Sequence, residues 1–200
     1  MESKEFFNQF HKKSREFYFS KSLQDFYETN VVQRLPNPCD VLELGSGSYS
    51  IFEEEPLEGS VTAIDFSHEA IKKAPRSRIS YKESNVVDST YFTKDSYDLI
   101  FDSHCLNCIT SPRDRQVAFQ NIYFALKPEG IFATELMVQP IGQNVVMPFK
   151  MIKTANELEA EIISYGFKIN YFMISKENSF GTLVNGVEVT CDVLRVIAKK

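Results

Sequence analysis

The sequence lacks long basic runs and long apolar runs, and we expect no signal peptide. Its formal charge is -5 and its pI is near 5.3, and no lysine or arginine run exceeds two residues, so it has no electrostatic footprint for nucleic acid. No apolar stretch reaches the roughly 18 residues that suggest a membrane span. The N-terminus, MESKEFFNQFHKK, spreads its charges among aromatic residues instead of following a basic head with an apolar stretch. We therefore expect a cytoplasmic protein whose partner is a small molecule, with no nucleic acid and no membrane.

Cysteine is also scarce, with four residues in the chain. Their uneven spacing is not typical of a disulfide scaffold, so we expect free thiols. His104, Cys105 and Cys108 lie close together, but no second cysteine or histidine pair completes the usual four ligands of a structural zinc site. We therefore expect no metal site, and we interpret these cysteines as small buried residues.

The most informative stretch is VLELGSGSYS, residues 41–50. Its apolar run, interrupted by Glu43, predicts a buried strand that enters a tight turn at Gly45 and Gly47. A second apolar run, VTAIDFS, delivers Asp65 about 20 residues after Gly45. Glycines let a ligand approach the backbone, and a carboxylate at this spacing can accept hydrogen bonds from ribose hydroxyls. Together these features predict a nucleoside site.

The spacing Glu43-x-Gly45-x-Gly47 resembles the first motif of class I S-adenosylmethionine-dependent methyltransferases. A dinucleotide fingerprint instead expects glycine or alanine three residues after its second glycine, where this chain has Ser50. One departure from the family pattern is Tyr49, because many members have a third glycine there. The resemblance covers about residues 38–200. It implies S-adenosylmethionine as the cofactor, with its methionine part over the turn formed by Gly45, Ser46 and Gly47, next to Glu43.

The resemblance also implies where the nucleoside part binds. Asp65 would hold the ribose, and Phe66 follows it at the strand end. In the family, the residue just past the third strand binds the adenine amino group and the next backbone amide binds the ring. Asn85 and Val86 fall there by strand length, and Asp88 is a rival three residues on. Asn85 can accept the hydrogen bond through its amide oxygen, but it can also be a simple turn residue.

A second informative stretch is YDLIFDSHCLNCI, residues 97–109. It predicts a fourth buried strand that ends just before Ser103 and His104, and Asp98 repeats the YDL pattern of the family. In open parallel sheets, ligands bind at the carboxyl ends of the strands. Ser103 is therefore a candidate cofactor contact. His104 is the candidate catalytic residue, either as a base or as a group that orients the acceptor, and a structural histidine is the alternative.

The resemblance implies an α/β fold with a Rossmann-like doubly wound sheet of about seven strands, mostly parallel, with a C-terminal antiparallel pair. We expect one domain, with an N-terminal helical cap at residues 1–36 and the core at 38–200. The cap is rich in aromatic residues and includes Arg15 and Lys21. Its helices can pack on the sheet edge or close the cofactor pocket as a lid.

The remaining predicted elements follow in chain order. They are a short helix at 49–55, a strand at 61–65, a helix capped by Ser67, a strand around Ile79 and Tyr81, a helix from Pro112, a strand at 131–136 after a turn at Gly130, a helix from Thr154 to Gly166, and two strands with turns at Gly181 and Asn185–Gly186.

Methyl transfer is an in-line displacement at a sulfonium, so it mainly requires positioning and desolvation of the reactants. We expect a small-molecule acceptor. A protein methyltransferase and a non-catalytic S-adenosylmethionine-binding domain are the alternatives, and Ser50 and the terminal strand pair disfavour a dehydrogenase. Candidate substrate contacts, with packing as the alternative, lie in the connection after strand five: Met137, Gln139, Met147 and Phe149.

Overall fold

The computed structural model describes residues 3–13, 20–55, 57–142, 144–147, 149–184 and 187–200. At 176–184 and 187–189 it describes the backbone alone. The helices are α1 (Ser3–Lys13), α2 (Lys21–Phe26), α3 (His68–Lys73), α4 (Pro112–Ala125) and α5 (Ala155–Ser164). The strands are β1 (Val41–Leu44), β2 (Val61–Asp65), β3 (Ser80–Glu83), β4 (Tyr97–Asp102), β5 (Leu126–Val138), β6 (Lys168–Val184) and β7 (Val187–Lys199).

The described strands form one seven-stranded sheet in the order β3-β2-β1-β4-β5-β7-β6. The first five strands along the chain pair in parallel, and β7 is antiparallel to both β5 and β6. This confirms the predicted doubly wound sheet with a C-terminal antiparallel pair. The carboxyl ends of β1 to β5 therefore lie along one edge, which is where such sheets bind ligands.

Local capping signals in the sequence set where the helices begin. The side chains of Ser67 and Ser111 accept hydrogen bonds from the backbone amides of Ala70 and Asp114, each at 3.3 Å. Thr154, where the sequence predicts a helix to start, forms a capping box: Glu157 accepts from the amide of Thr154 at 2.8 Å while its own amide donates to the threonine hydroxyl. Each cap satisfies an amide that would otherwise have no partner in the first helical turn.

The core fills both faces of the sheet. On one face α4 and α5 contribute Phe119 and Ile162, which pack in a cluster with Phe132 of β5. On the other face Phe26 ends α2 and packs against Phe101 of β4, with ring centroids 6.1 Å apart. Helix α2 therefore lies on a face of the sheet, and the N-terminal segment after residue 20 is part of the core.

Three predicted elements differ in the structure. The helix expected at 49–55 is a short 3-10 turn, Ile51–Glu53, because the side chain of Ser50 caps it at the amide of Phe52. The turn expected at Gly130 is an irregularity inside β5, where Glu129 takes a φ of 64° and the pairing with β4 shifts register. The prediction of a turn at Gly181 is wrong, since Gly181 lies within β6 and pairs with Thr190.

Some predictions fall outside the described residues, namely Arg15 in the cap and the Asn185–Gly186 turn. Among the residues that the structure describes, no helix has the length and apolar character needed to cross a bilayer.

Candidate active site

The glycine turn follows β1 and is held against the end of β2. Gly45 and Gly47 have φ values of 71° and 60°, a region that favours glycine. The amides of Gly45 and Ser46 both donate to the carbonyl of Ile64, at 2.8 and 3.2 Å. A Cβ built on Gly45 would lie 2.7 Å from the Cβ of Cys105, so the loop after β4 closes directly on the turn.

Glu43 connects the glycine turn to the loop after β4 from inside the core. Its side chain is fully buried and accepts hydrogen bonds from the hydroxyls of Ser50 and Ser103, the latter at 2.7 Å, and from the amide of Ile51. Burial raises the pKa of Glu43 to about 7, although these hydrogen bonds oppose the shift. Ser50 therefore has a role that the sequence did not reveal, since it anchors this carboxylate.

Asp65 ends β2 and organises the backbone around it. Its Oδ2 accepts from the amide of Gly47 at 3.0 Å, and its Oδ1 accepts from the amide of Ser67 at 2.8 Å. Burial raises the pKa of Asp65, while these hydrogen bonds and the nearby His11 lower it. The structure thus brings Asp65 to the glycine turn, as the sequence predicted.

Helix α1 lies over the carboxyl ends of β2 and β3. The ring of Phe7 packs on Phe66 with centroids 5.6 Å apart, and Asn8 accepts a hydrogen bond from Ser67 at 2.8 Å. His11 is buried, and its Cε1 lies 3.3 Å from a Cβ built on Gly47. Burial lowers the pKa of His11 and Asp65 raises it, so the two side chains are electrostatically linked.

A cleft of about 530 Å³ lies between α1 and the strand ends, where the sequence predicts the nucleoside to bind. Its lining includes Phe66, Asn85 and Asp88. The Asn85 Oδ1 accepts from the amide of Val87 at 3.3 Å, as a turn residue does, and Asp88 caps the next turn by accepting from the amide of Thr90 at 3.0 Å. Val86 is buried next to these residues and lies outside the cleft lining.

His104, the residue predicted to meet the acceptor, follows β4 with a φ of 64°. Its Nε2 lies 3.0 Å from Oε1 of Glu135, a fully buried carboxylate in β5. Arg195 of β7 donates through Nε to Oε2 of Glu135 at 2.8 Å, and Ser22 of α2 donates to the same carboxylate. The sequence analysis missed Glu135, Arg195 and Ser22. A signal was present, because Glu135 and Arg195 each interrupt an apolar strand.

Comparison with known proteins identifies this arrangement. A family model described as a methyltransferase domain matches residues 42–132. A solved S-adenosylmethionine-dependent methyltransferase from Methanosarcina mazei superposes with a TM-score of 0.68 at 18% identity, covering 86% of this chain and 97% of that one. Residues 42–132 therefore match a methyltransferase domain, and the chain has the fold of S-adenosylmethionine-dependent methyltransferases. The cofactor that this family implies is S-adenosylmethionine.

Two further structures share the fold of this methyltransferase. One is the candidate methyltransferase in a complex with the Trm112 methyltransferase activator of Haloferax volcanii, with a TM-score of 0.73 at 14% identity over 99% of this chain and 97% of that one. The other is the [4+2]-cyclase SpnF, with a TM-score of 0.73 at 14% identity over 90% of this chain and 80% of that one. No curated protein sequence matches the chain.

The connection after β5 contains the residues that the sequence predicts as substrate contacts. Met137 and Met147 are buried in one apolar cluster with Val145. Gln139 braces the connection, because its amide donates to the carbonyls of Val145 and Ile152 at 2.8 and 3.0 Å. Gln139 is thus engaged in holding the loop.

Phe149, also in this connection, packs on Phe6 of α1 with ring centroids 4.8 Å apart. The connection therefore meets the helix that covers the nucleoside cleft.

The cysteines of the methyltransferase are free thiols, and two of them lie near the site. Burial raises the pKa of both Cys105 and Cys108, so neither is activated as a thiolate. Lys150 lies 3.4 Å from the sulfur of Cys108. Within the described ranges, no group of three or more histidine, cysteine or acidic side chains is arranged to hold a metal ion.

Proposed function

We propose that this methyltransferase transfers the methyl group of S-adenosylmethionine to a small-molecule acceptor. The observation that carries the proposal is the enclosure of the acceptor side. His104, with 14% of its side chain exposed, shares the carboxylate of Glu135 with Ser22 of α2, and the buried Met137 and Met147 belong to the neighbouring connection. An enclosed site of this kind suits a small acceptor better than a protein surface.

The cofactor assignment rests on two features that fit S-adenosylmethionine. Gly45 and Gly47 leave the turn after β1 without side chains at two positions, and Phe66, just past the end of β2, lines the cleft. In this proposal the turn and Ser103 surround the methionine part, Asp65 accepts from the ribose hydroxyls, and Glu43 supports the turn from below. The adenine lies by Phe66, with Asn85, Val86 and Asp88 as the residues to distinguish.

The bound cofactor supplies an electrophilic methyl group with a good leaving group attached. The protein's own residues then have to exclude water and align the acceptor with that methyl group. Helix α1 covers the nucleoside side and Ser22 of α2 borders the acceptor side, so the N-terminal segment serves both halves of the proposed site. The four free cysteines suit a reducing compartment, and the proposal includes a cytoplasmic location.

An acceptor panel tests the proposal. Purified protein would first be titrated with S-adenosylmethionine and with NAD by calorimetry, and we expect heat of binding with S-adenosylmethionine alone. Small hydroxyl, amine, thiol and carboxylate compounds would then be screened by release of S-adenosylhomocysteine. Cofactor binding without turnover on any small molecule would contradict the proposal and favour a non-catalytic domain.

A second candidate is a protein methyltransferase, and one observation favours it. Ile141 and Val146, in the connection after β5, are 90% and 72% exposed, and exposed apolar side chains beside a site can contact a partner protein. The same assay with peptide pools and folded proteins separates the two candidates. Turnover on proteins but not on small molecules would replace the first proposal by the second.

A further inference from the structure

Glu135 is the best-connected buried side chain on the acceptor side. It lies in β5, is fully buried, and contacts His104 after β4, Arg195 in β7 and Ser22 in α2. Arg195 also donates through Nη2 to the carbonyl and the hydroxyl of Ser22, at 3.0 and 2.9 Å. Three other elements therefore meet at this carboxylate of β5, and His104 is the partner that follows the carboxyl end of β4.

The charges in this group define what His104 can do. Burial raises the pKa of Glu135, but the hydrogen bond and charge of His104, together with Arg195 and Ser22, lower it below its ordinary value. Glu135 is therefore an ionised acceptor, and Arg195 already balances its charge. An ionised carboxylate 3.0 Å from Nε2 favours the proton on that nitrogen. In neutral His104 the basic nitrogen is then Nδ1.

The backbone also holds His104 in place. Its left-handed φ of 64° is uncommon for a residue with a side chain, and such conformations occur often at functional sites. The next residues are anchored by Asp102, whose Oδ1 accepts from the amides of Cys105 and Leu106 at 2.9 and 3.0 Å. The orientation of the His104 imidazole is thus fixed by contacts of its ring and by the conformation of the backbone.

We propose that Glu135 is a positioning residue that fixes the ring and tautomer of His104, so that His104 serves as base for a hydroxyl or amine acceptor. This inference rests on the proposed function. The acceptor proton moves to Nδ1 of His104, and the oxygen or nitrogen lone pair forms the bond to the methyl carbon. The carbon–sulfur bond breaks, and its electron pair stays on the sulfur of S-adenosylhomocysteine. The imidazolium, stabilised by Glu135, then returns its proton to water.

The first test needs no acceptor. Nitrogen NMR of the histidine rings at a pH where they are neutral would report the tautomer of His104, assigned by its loss in His104→Asn. We expect the proton on Nε2 in the parent protein. The double variant Glu135→Leu/Arg195→Met removes the buried pair without leaving one charge unpaired, and we expect it to lose this preference.

A matched control changes another buried carboxylate–arginine pair. Glu161 accepts from Nε of Arg115 at 2.8 and 2.9 Å, so Glu161→Gln alters such a pair without touching Glu135, and it should leave the His104 tautomer unchanged. Glu135→Met/Arg195→Leu, which also removes both charges, serves as the second variant if the first does not fold. A proton on Nδ1 in the parent, or an unchanged tautomer in a folded double variant, would overturn the inference.

The second test uses a working acceptor from the panel. We expect His104→Ala to lower kcat by roughly 100 to 10,000-fold and to remove a rise in rate with pH, with little change in cofactor affinity. Replacing Glu135 should also lower kcat and flatten the same pH profile. A rise in KM with unchanged kcat, or turnover of an acceptor that has no proton to lose, would overturn the base role. A panel without turnover refutes the proposed function, whereas the tautomer still decides whether Glu135 positions His104.

Discussion

Cys105 lies directly over Gly45, so close that a Cβ on the glycine would come within 2.7 Å of the cysteine Cβ. This contact joins the loops after β1 and β4. Gly45 therefore has to be glycine for two reasons: its φ of 71° favours glycine, and Cys105 occupies the space that a side chain would need.

The first prediction compares Gly45→Ala with Gly142→Ala. Both glycines have a positive φ, but a Cβ on Gly142 meets nothing within 4 Å among the described residues. We expect Gly142→Ala to cost about 1 kcal/mol in the free energy of unfolding, and Gly45→Ala about 2 to 4 kcal/mol because overpacking is added to the backbone cost. Urea unfolding measures both. Cys105→Gly should recover part of the loss in the Gly45→Ala background, and equal costs for the two single variants would contradict the steric explanation.

The second prediction concerns Asp65 and the cofactor. We expect Asp65→Ala to weaken S-adenosylmethionine binding by about 1.5 to 3 kcal/mol, the range for a hydrogen bond to a charged group. The physical reason is the loss of the ribose acceptor, together with the anchor at the amide of Gly47. Calorimetric titration gives the affinity, and circular dichroism checks the fold. Asp88→Ala is a useful comparison, since it removes a carboxylate from the cleft that Phe66 lines. Unchanged affinity in folded Asp65→Ala would rule out the ribose role.

The third prediction follows from the buried carboxyl of Glu43. Its pKa rises from an ordinary value near 4.5 to about 7 in the folded protein. The folded state then holds this proton more tightly than the unfolded chain. The stability it contributes is fully present below about pH 4.5 and is lost as the pH rises towards 7.

Glu43→Gln removes this titration while keeping the size of the side chain. We expect the free energy of unfolding of the parent, relative to Glu43→Gln, to fall by about 2 to 3 kcal/mol between pH 4.5 and 8. Urea unfolding at several pH values measures the difference, in which titrations common to both proteins cancel. Parallel stability curves for the two proteins would mean that Glu43 titrates normally.

The fourth prediction tests whether α1 is part of the cofactor pocket. His11 faces Gly47 and interacts with Asp65, whereas the exposed Gln9 on the same helix donates to Glu5 within the helix. We expect His11→Ala to weaken S-adenosylmethionine binding by about three- to tenfold, since a contact worth roughly 1 kcal/mol is lost, and Gln9→Ala to leave it unchanged. Tighter binding in His11→Ala would instead show that His11 occupies space which the cofactor needs.

The parts of the fold that the sequence predicted well are those set by local chemistry. The strand ending at Asp65 and the helix caps at Ser67 and Thr154 lie where the sequence predicts them, because apolar runs and hydroxyl caps act over a few residues. The glycine turn and Asp65 also meet, as the spacing of about 20 residues implied.

The parts that the sequence could not predict depend on contacts between distant residues. Glu135 and His104 are 31 positions apart, and Arg195 is 60 positions from Glu135, so no local pattern joins them. Gly181 looks like a turn residue, but pairing with Thr190 across the hairpin keeps it inside β6. In each case contacts with distant residues, and not the local preference of the residue, determined the structure.

The terminal hairpin is longer than the sheet that supports it. The pairing of β7 with β5 reaches Asp192 opposite Val138, whereas the pairing of β7 with β6 continues to Val187 opposite Val184. A two-stranded ribbon is only marginally stable by itself. Amide hydrogens at 180–184 and 187–191 should therefore exchange with deuterium through local opening, while those at 194–198 should exchange only when the whole domain unfolds. Along β7, the protection of amide hydrogens from exchange should therefore change abruptly near Asp192.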